Sequence, residues 1–295
     1  MSQMLFATAG FEALIPMVKS AGGGALVPGV VCSAGLCVLG SGSGGNCSVL
    51  EVCFEDGRRT RLLIDIGLSP RSTCKHLEVL GIDIESIDGV LLTHLDADHC
   101  HGGWVKKLPG GAELFVHRKH ADLAQEGGFG ASRLLAFDGS FSTRGGVVVR
   151  PVLNEHDSRG SAAFRFVLGE VGDIGFATDL GRASEQLVAH MRGVDVLAIE
   201  SNYCPRMQER SGRPIYLQRR IMGGRGHLSN GEALTAIRSI KPRRHVVLLH
   251  LSRKCNSPSL VAGMHRGAGY RVTITSQNRP SGWVNVGPSR GRLDG

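Results

Sequence analysis

Aromatic residues are scarce in this chain: 5% of 295 residues, with two tryptophans and three tyrosines. Of the rings present, Trp104, Trp283 and Tyr203 are the candidates for contact with a base, too few for an extended stacking platform, so any nucleic acid would be gripped mainly by its backbone. No apolar run reaches the length that crosses a bilayer, and with 42% hydrophobic residues the mean hydropathy is zero. A helical membrane protein is thereby excluded, and a soluble, cytoplasmic protein without a membrane partner is expected. No basic stretch precedes Leu5-Phe6 and no small-residue cleavage pattern follows, so the N-terminus does not read as a signal peptide. No Cys-x-x-Cys occurs among the eight cysteines, which removes the common finger-type and redox motifs and leaves reduced thiols as the expectation. Repeats of solenoid period and low-complexity blocks are also missing.

What is there suffices for one large domain with a full core. The formal charge of +8 and pI near 9.3 favour polyanionic partners, though only weakly. Leu36–Leu39, Ser48–Phe54 and Arg61–Asp65 read as strands, the last two joined by the turn Glu55-Asp56-Gly57. Gly89–Thr93 is continuously apolar and reads as a buried strand. Ala112–Val116, Val147–Leu153, Ala163–Leu168, Ile174–Thr178, Val194–Ile199 and His245–His250 read as further strands. Helices are expected over Pro70–Leu80, Ser184–Met191 and Asn230–Ile240. Runs of strands with fewer helices between them predict two sheets covered by helices.

The chemistry concentrates where strands stop. Thr93-His94-Leu95-Asp96-Ala97-Asp98-His99 places His94, Asp96, Asp98 and His99 on a tight turn behind a buried strand. Imidazole and carboxylate are ligands that zinc, manganese and iron accept, and two such sets on one loop can serve two ions. Asn154-Glu155-His156, Thr178-Asp179 and His250 then follow three further strands. Singly, each has a bland reading as a surface histidine, a turn cap or a core histidine; jointly they extend the cluster. The loop Gly40–Asn46 could present N–H groups from Ser41 to Asn46 to a phosphate, or could simply be a hairpin in which glycine permits positive φ. It is not a Walker loop, since no Lys-Ser/Thr follows. Arg219-Arg220 to Arg225, with Lys241 and Arg243-Arg244, could line a strand-binding channel or be a solvated face.

With these motifs the chain resembles the metallo-β-lactamase superfamily, whose members carry an Asp after an early strand, a His-x-His-x-Asp-His loop, and then a His, an Asp and a final His at strand ends. Asp65, His94 to His99, His156, Asp179 and His250 match in turn. Within it the chain is similar to the YycJ/WalJ-type branch of single-strand-active 5′ to 3′ DNA exonucleases, through Gly40–Asn46, Leu63–Ser69, Ile199-Glu200-Ser201-Asn202, Gly224-Arg225-Gly226-His227-Leu228-Ser229-Asn230 and His250-Leu251-Ser252. The resemblance implies an α/β fold, a four-layer αββα sandwich of two mixed sheets flanked by helices. It implies a hydrolase domain over residues 35–279, between a loosely ordered extension (1–34) and a flexible tail (280–295).

The resemblance further implies two divalent ions, Zn²⁺ or Mn²⁺ with Fe admitted. One is held by His94, Asp96 and His156, the other by Asp98, His99 and His250, with Asp179 between them and a shared hydroxide as nucleophile. Asp98, His227 and Asp65 are the expected catalytic group: His227 as acid or phosphate contact, Asp65 orienting the histidine loop by hydrogen bonds. Ser41, Ser43, Asn46, Asn202, Arg225 and His227 are expected against the phosphate of a single-stranded DNA backbone. Two departures stand out. Asp96 replaces the loop's second histidine, and Tyr203 replaces the histidine of the branch's Glu-Ser-Asn-His, there expected to substitute as a hydroxyl donor.

The leading expectation is a metal-dependent phosphodiesterase or nuclease. The alternatives are a hydrolase of small thioesters, lactones or cyclic phosphodiesters, and a non-catalytic relic in which Asp96 has weakened the first ion's site. Between Asp179 and His250 there is no room for the large clamping domain of RNase J-like relatives, which disfavours that kind of RNA processing. β-Lactam hydrolysis is least favoured, for want of a secretion signal.

Overall fold

The computed structural model describes residues 29–287. The expected loose extension, as far as residue 28, and the end of the expected tail, from residue 288, lie outside the described residues. The chain runs β1 (Val31–Gly40), β2 (Cys47–Phe54), β3 (Arg59–Ile64), α1 (Pro70–Val79), β4 (Gly89–Leu91), β5 (Glu113–His117), α2 (Ala121–Glu126) and β6 (Leu134–Phe137). It continues β7 (Phe141–Ser142), β8 (Val148–Asn154), β9 (Ser161–Val167), β10 (Ile174–Ala177), α3 (Glu185–Met191), β11 (Val196–Glu200), α4 (Pro205–Glu209) and α5 (Ile215–Met222). The last elements are α6 (Asn230–Ile240), β12 (His245–Leu249), α7 (Pro258–Met264), β13 (Arg271–Ile274) and β14 (Val284–Val286).

The strands form two seven-stranded sheets, ordered β14-β1-β2-β3-β4-β5-β6 and β13-β12-β11-β10-β9-β8-β7. Both are mixed: β3 to β6 and β10 to β13 are parallel, and the remaining pairings are antiparallel. Alternation along each strand sorts the side chains into layers. Leu36, Val38, Leu62 and Ile64 meet Phe164, Phe176, Ala198 and Val247 in one core between the sheets. The opposite faces, with Cys37, Leu39 and Leu63, pack under Leu77 of α1, Trp104 and Ala124 of α2. Leu197, Ile199 and Leu248 pack under α3, α6 and α7. This is the expected αββα sandwich.

Local signals account for the helices. Ser229 and Glu232 make reciprocal capping bonds at the start of α6, whose Ala233, Ala236, Ile237 and Ile240 fall on one buried stripe. Ser69 caps α1 and Ser184 caps α3. One expectation is corrected. The tail from residue 280 was read as flexible, yet Val284 and Val286 enter the inter-sheet core and β14 pairs with β1. Its Val-Asn-Val alternation is too short to stand out beside the Gly, Pro, Ser and Arg around it. Likewise β1 begins at Val31, inside the expected extension.

Candidate metal centre

The C-terminal ends of β3, β4, β8, β10, β11 and β12 converge on one edge of the sandwich. Of the five non-glycine residues with positive φ among the described residues, Asp65 (59°) and His250 (55°) directly follow a strand here and Asp179 (50°) stands one residue further on. Left-handed backbone at such residues is uncommon and persists only where its surroundings enforce it, as they do at sites that aim a side chain. Gly67 permits the closest approach: a Cβ there would stand 1.7 Å from the carbonyl oxygen of Asp98. Backbone bonds from Ile66 N to His99 O (2.8 Å) and from Asn46 N to Asp98 O (2.7 Å) fix the His94–His99 loop to its neighbours.

The side chains so placed form overlapping groups, among them His94, His156 and Asp179, then Asp98, His99 and His250, and also Asp179, Glu200, His227 and His250. In each group one donor atom per residue lies within 4.8 Å of the others. Asp179 links them, with Oδ2 2.8 Å from His99 Nε2 and Oδ1 3.1 Å from His250 Nδ1. Asp96 stands at the outer rim, 53% exposed, its Oδ2 3.8 Å from His94 Nε2, and it clusters with His156 and Asp157.

The donors suit divalent ions. His94 Nε2 is buried without a hydrogen-bond partner, and the two buried ring nitrogens of His250 face only carboxylates, Nδ1 at 3.1 Å from Asp179 and 3.4 Å from Glu200 and Nε2 at 3.5 Å from Asp98. Buried polar atoms are otherwise almost always partnered, so atoms of this kind converging with carboxylates fit a cation. The remote nitrogens of three imidazoles are already engaged: His99 Nδ1 with Asp65 (2.7 Å), His156 Nδ1 with the Gly226 carbonyl (2.9 Å) and His94 Nδ1 with Thr93 Oγ1 (3.0 Å). Such outer partners set the tautomer that leaves a lone pair for an ion. Asp65 is fully buried and also accepts from Thr93 N (2.8 Å) and Thr93 Oγ1.

Charge follows the geometry. Burial, reinforced by His99, holds His94 well below the ordinary imidazole value, so it is neutral. Burial would lower His99 too, but Asp179 and Asp65 outweigh it and raise the imidazole to about 10 without an ion. Burial would raise Asp98 and Asp179; the imidazoles of His250 and His99 overcome it, and Asp179 sits well below the usual carboxylate range.

Glu200, at the end of β11, was not singled out as a site residue from the sequence. It is completely buried and accepts from Leu180 N (2.8 Å), Leu228 N (3.3 Å) and His227 Nδ1 (2.7 Å). Its strand, Val-Leu-Ala-Ile-Glu, ends in a carboxylate as β3 is followed by Asp65, which was the available signal. Burial opposes charge on His227, but Glu200 and then Asp179 raise it to about 9.

An open cleft of about 310 Å³ fronts the centre, lined by Ser43, Asn202, His227, Arg213, Arg220 and the ligand groups. Three expected phosphate contacts are corrected. Ser41 and Asn46 are buried: the Ser41 hydroxyl accepts from His250 N (2.8 Å) and donates to Asn46 Oδ1 (3.1 Å), and the Asn46 amide packs 2.9 Å from His99 Nε2. They brace ligands. Arg225 opens onto a neighbouring cleft with Lys119 and Arg159, because its carbonyl is tied to Asp157 N and Gly181 leaves no space beside its Cα. Arg220, paired with Asp157 at 2.5 Å, occupies the cleft in its stead. Asn202 donates to the His250 carbonyl at 2.8 Å. Tyr203 is buried against Ile221 and Cys255.

Residues 60–251 match the model of the β-lactamase superfamily domain. Exodeoxyribonuclease WalJ of Streptococcus pneumoniae is 28% identical over 230 residues, 76% of this chain and 83% of that protein. Exodeoxyribonuclease YycJ of Bacillus anthracis is 26% identical over 228 residues, 76% of this chain and 84% of that one. Among solved structures, the metallo-β-lactamase fold protein YhfI from Bacillus subtilis superposes with a TM-score of 0.63 at 16% identity, covering 84% of this chain and 98% of its own. With that family match, two mixed sheets between helical layers, and histidine and aspartate groups at the strand ends, the chain belongs to the β-lactamase superfamily and is a metal-dependent hydrolase of the metallo-β-lactamase fold.

Proposed function

We propose that the protein is a two-metal phosphodiesterase that degrades single-stranded DNA from its 5′ end. The observation that carries this is the pair of ligand groups sharing Asp179 at the floor of a cleft that also holds Arg220, Arg213 and a cationic His227. The names of the WalJ and YycJ relatives point the same way.

In this reading His94, His156 and Asp96 would hold one ion and Asp98, His99 and His250 the other, with Asp179 available to either. When bound, the pair supplies a hydroxide nucleophile near neutral pH and neutralises charge gathering on the phosphoryl oxygens. Three carboxylates against two divalent ions would leave one positive charge, which the hydroxide balances, so the cations beside the centre are what receive an anionic diester. Arg220 and Arg213 receive the phosphate, with Ser43 and Asn202 beside it. His227 keeps its Nδ1 proton on Glu200, so its Nε2 proton is the one that passes to the departing sugar oxygen. Glu200 makes this acid available by stabilising the imidazolium, and Asp65 keeps His99 turned toward its ion. Among the described residues no helix is long and apolar enough to cross a membrane, and the free cysteines suit a reducing cytoplasm, where we place the enzyme.

The test is end-labelled single-stranded DNA with Mn²⁺ or Zn²⁺. Stepwise release of a 5′ label, and binding that falls steeply with salt, is the expected outcome. Failure to degrade DNA alongside hydrolysis of a small ester or lactone overturns the nuclease reading.

A further inference from the structure

The composition left little to stack on a base, and the three rings singled out from the sequence are not free to do so: Trp104 and Tyr203 are buried and Trp283 packs against the outer core of the first sheet. A different ring is free. Tyr216 is 73% exposed and its neighbour Ile215 is 64% exposed. The other large apolar side chains that stand exposed among the described residues are single and scattered, and this adjoining pair is the one place where two occur together. It lies on α5, the helix whose Leu217, Arg220 and Ile221 form the wall of the catalytic cleft.

Helical spacing gives the patch an ordered relation to charge. Arg220 is four residues after Tyr216, and Arg219 four after Ile215, so each exposed apolar group has a guanidinium one turn further along its own face. Side chains so related sit about 5–6 Å apart at Cβ. A planar hydrophobic surface beside a cation is what a nucleotide with an unpaired base requires: the ring stacks on the base and the cation takes the phosphate. Inside a duplex the neighbouring base pairs cover both faces of a base, and a small neutral ester needs neither group. The polyanion is favoured over an acidic protein because the cation is shared with the catalytic cleft, where an anionic diester is bound.

We infer that α5 is the lip on which single-stranded nucleic acid enters the site, with Tyr216 stacking on an unpaired base while Arg220 holds the adjoining phosphate. The inference rests on the nuclease reading and adds to it the origin of a single-strand preference. Because Tyr216 is largely in solvent, its replacement leaves the fold intact.

The measurement is binding of the whole, metal-loaded protein to a short oligothymidylate protected by phosphorothioate links, and to an abasic strand of the same length. The protein should bind the thymidylate about ten-fold more tightly than the abasic strand. Tyr216→Ala should lose that advantage and leave abasic binding unchanged, while Tyr216→Phe should retain it. Equal affinity for the two strands, or a Tyr216→Ala variant that keeps the preference, overturns the stacking role while the nuclease reading stands. If the protein binds neither strand, the nuclease reading falls, and the inference with it.

Discussion

Replacing Asp65 by Asn keeps the shape of a buried side chain and removes its charge. Asn is among the residues that tolerate left-handed backbone, so φ of 59° at this position adds no strain of its own. What changes is the 2.7 Å contact to His99 Nδ1 and the two bonds from Thr93, which now meet an amide that is half donor. A hydrogen bond to a charged group contributes about 1.5–3 kcal/mol, so the metal-free protein should lose about 2–3 kcal/mol of unfolding free energy. The loss depends on pH. His99 is raised above its unfolded value to about 10, so the stability from its protonation is fully present below the unfolded pKa near 6.5 and is lost as pH rises through about 10. The gap between Asp65→Asn and the original protein should therefore be widest below pH ~6.5 and narrow toward pH ~10. With Asp65 no longer turning the imidazole, zinc affinity should fall 10- to 100-fold, the usual cost of removing an outer partner. Urea titration of chelator-treated protein and competition for zinc measure the two quantities. Zinc affinity within about two-fold of the original, with an unchanged unfolding free energy, would refute the orienting role.

Gly67→Ala drives a Cβ into the Asp98 carbonyl, backbone that cannot yield, and should cost more than about 3 kcal/mol or abolish metal retention; an unchanged urea midpoint and metal content contradict it. Because His99 and His250 are both raised in the absence of ions, metal binding at pH 7 must displace protons, which calorimetry in buffers of different ionisation heat should detect; binding with no proton release contradicts the assignment of these imidazoles as ligands. Asp96→Ala should lower metal content toward about one ion per chain while Asp96→His preserves about two; full content in Asp96→Ala removes Asp96 from the ligand set.

The sandwich was legible because its strands are continuously apolar or cleanly alternating, and the candidate ligands were legible because each lies in the loop that follows such a strand. His94 to His99, His156, Asp179 and His250 are brought together by nothing more than that shared edge. The rest needed contacts between segments distant in sequence. Ser41 and Asn46 look like a phosphate loop from their glycines, and only packing against His250 and His99 turns them inward. Arg220 and Arg225 are equivalent in a charge run, yet α5 carries one into the cleft while Gly181 and Asp157 hold the other aside. The strands β6, β7, β13 and β14 are two to four residues long, too short for periodicity, and unlike the equally short β4 and β10 they lead into no histidine or aspartate cluster that marks their ends. Helices α4 and α5 hide in a segment whose arginines mask its apolar face.

Metal content is the most direct test of a two-ion centre organised by Asp179. Protein purified from defined medium and supplied with Zn²⁺ or Mn²⁺ should retain about two ions per chain, and Asp179→Ala, which touches both groups, should lose both. An unaltered chain that retains no ion, or an Asp179→Ala variant that keeps both, would contradict it.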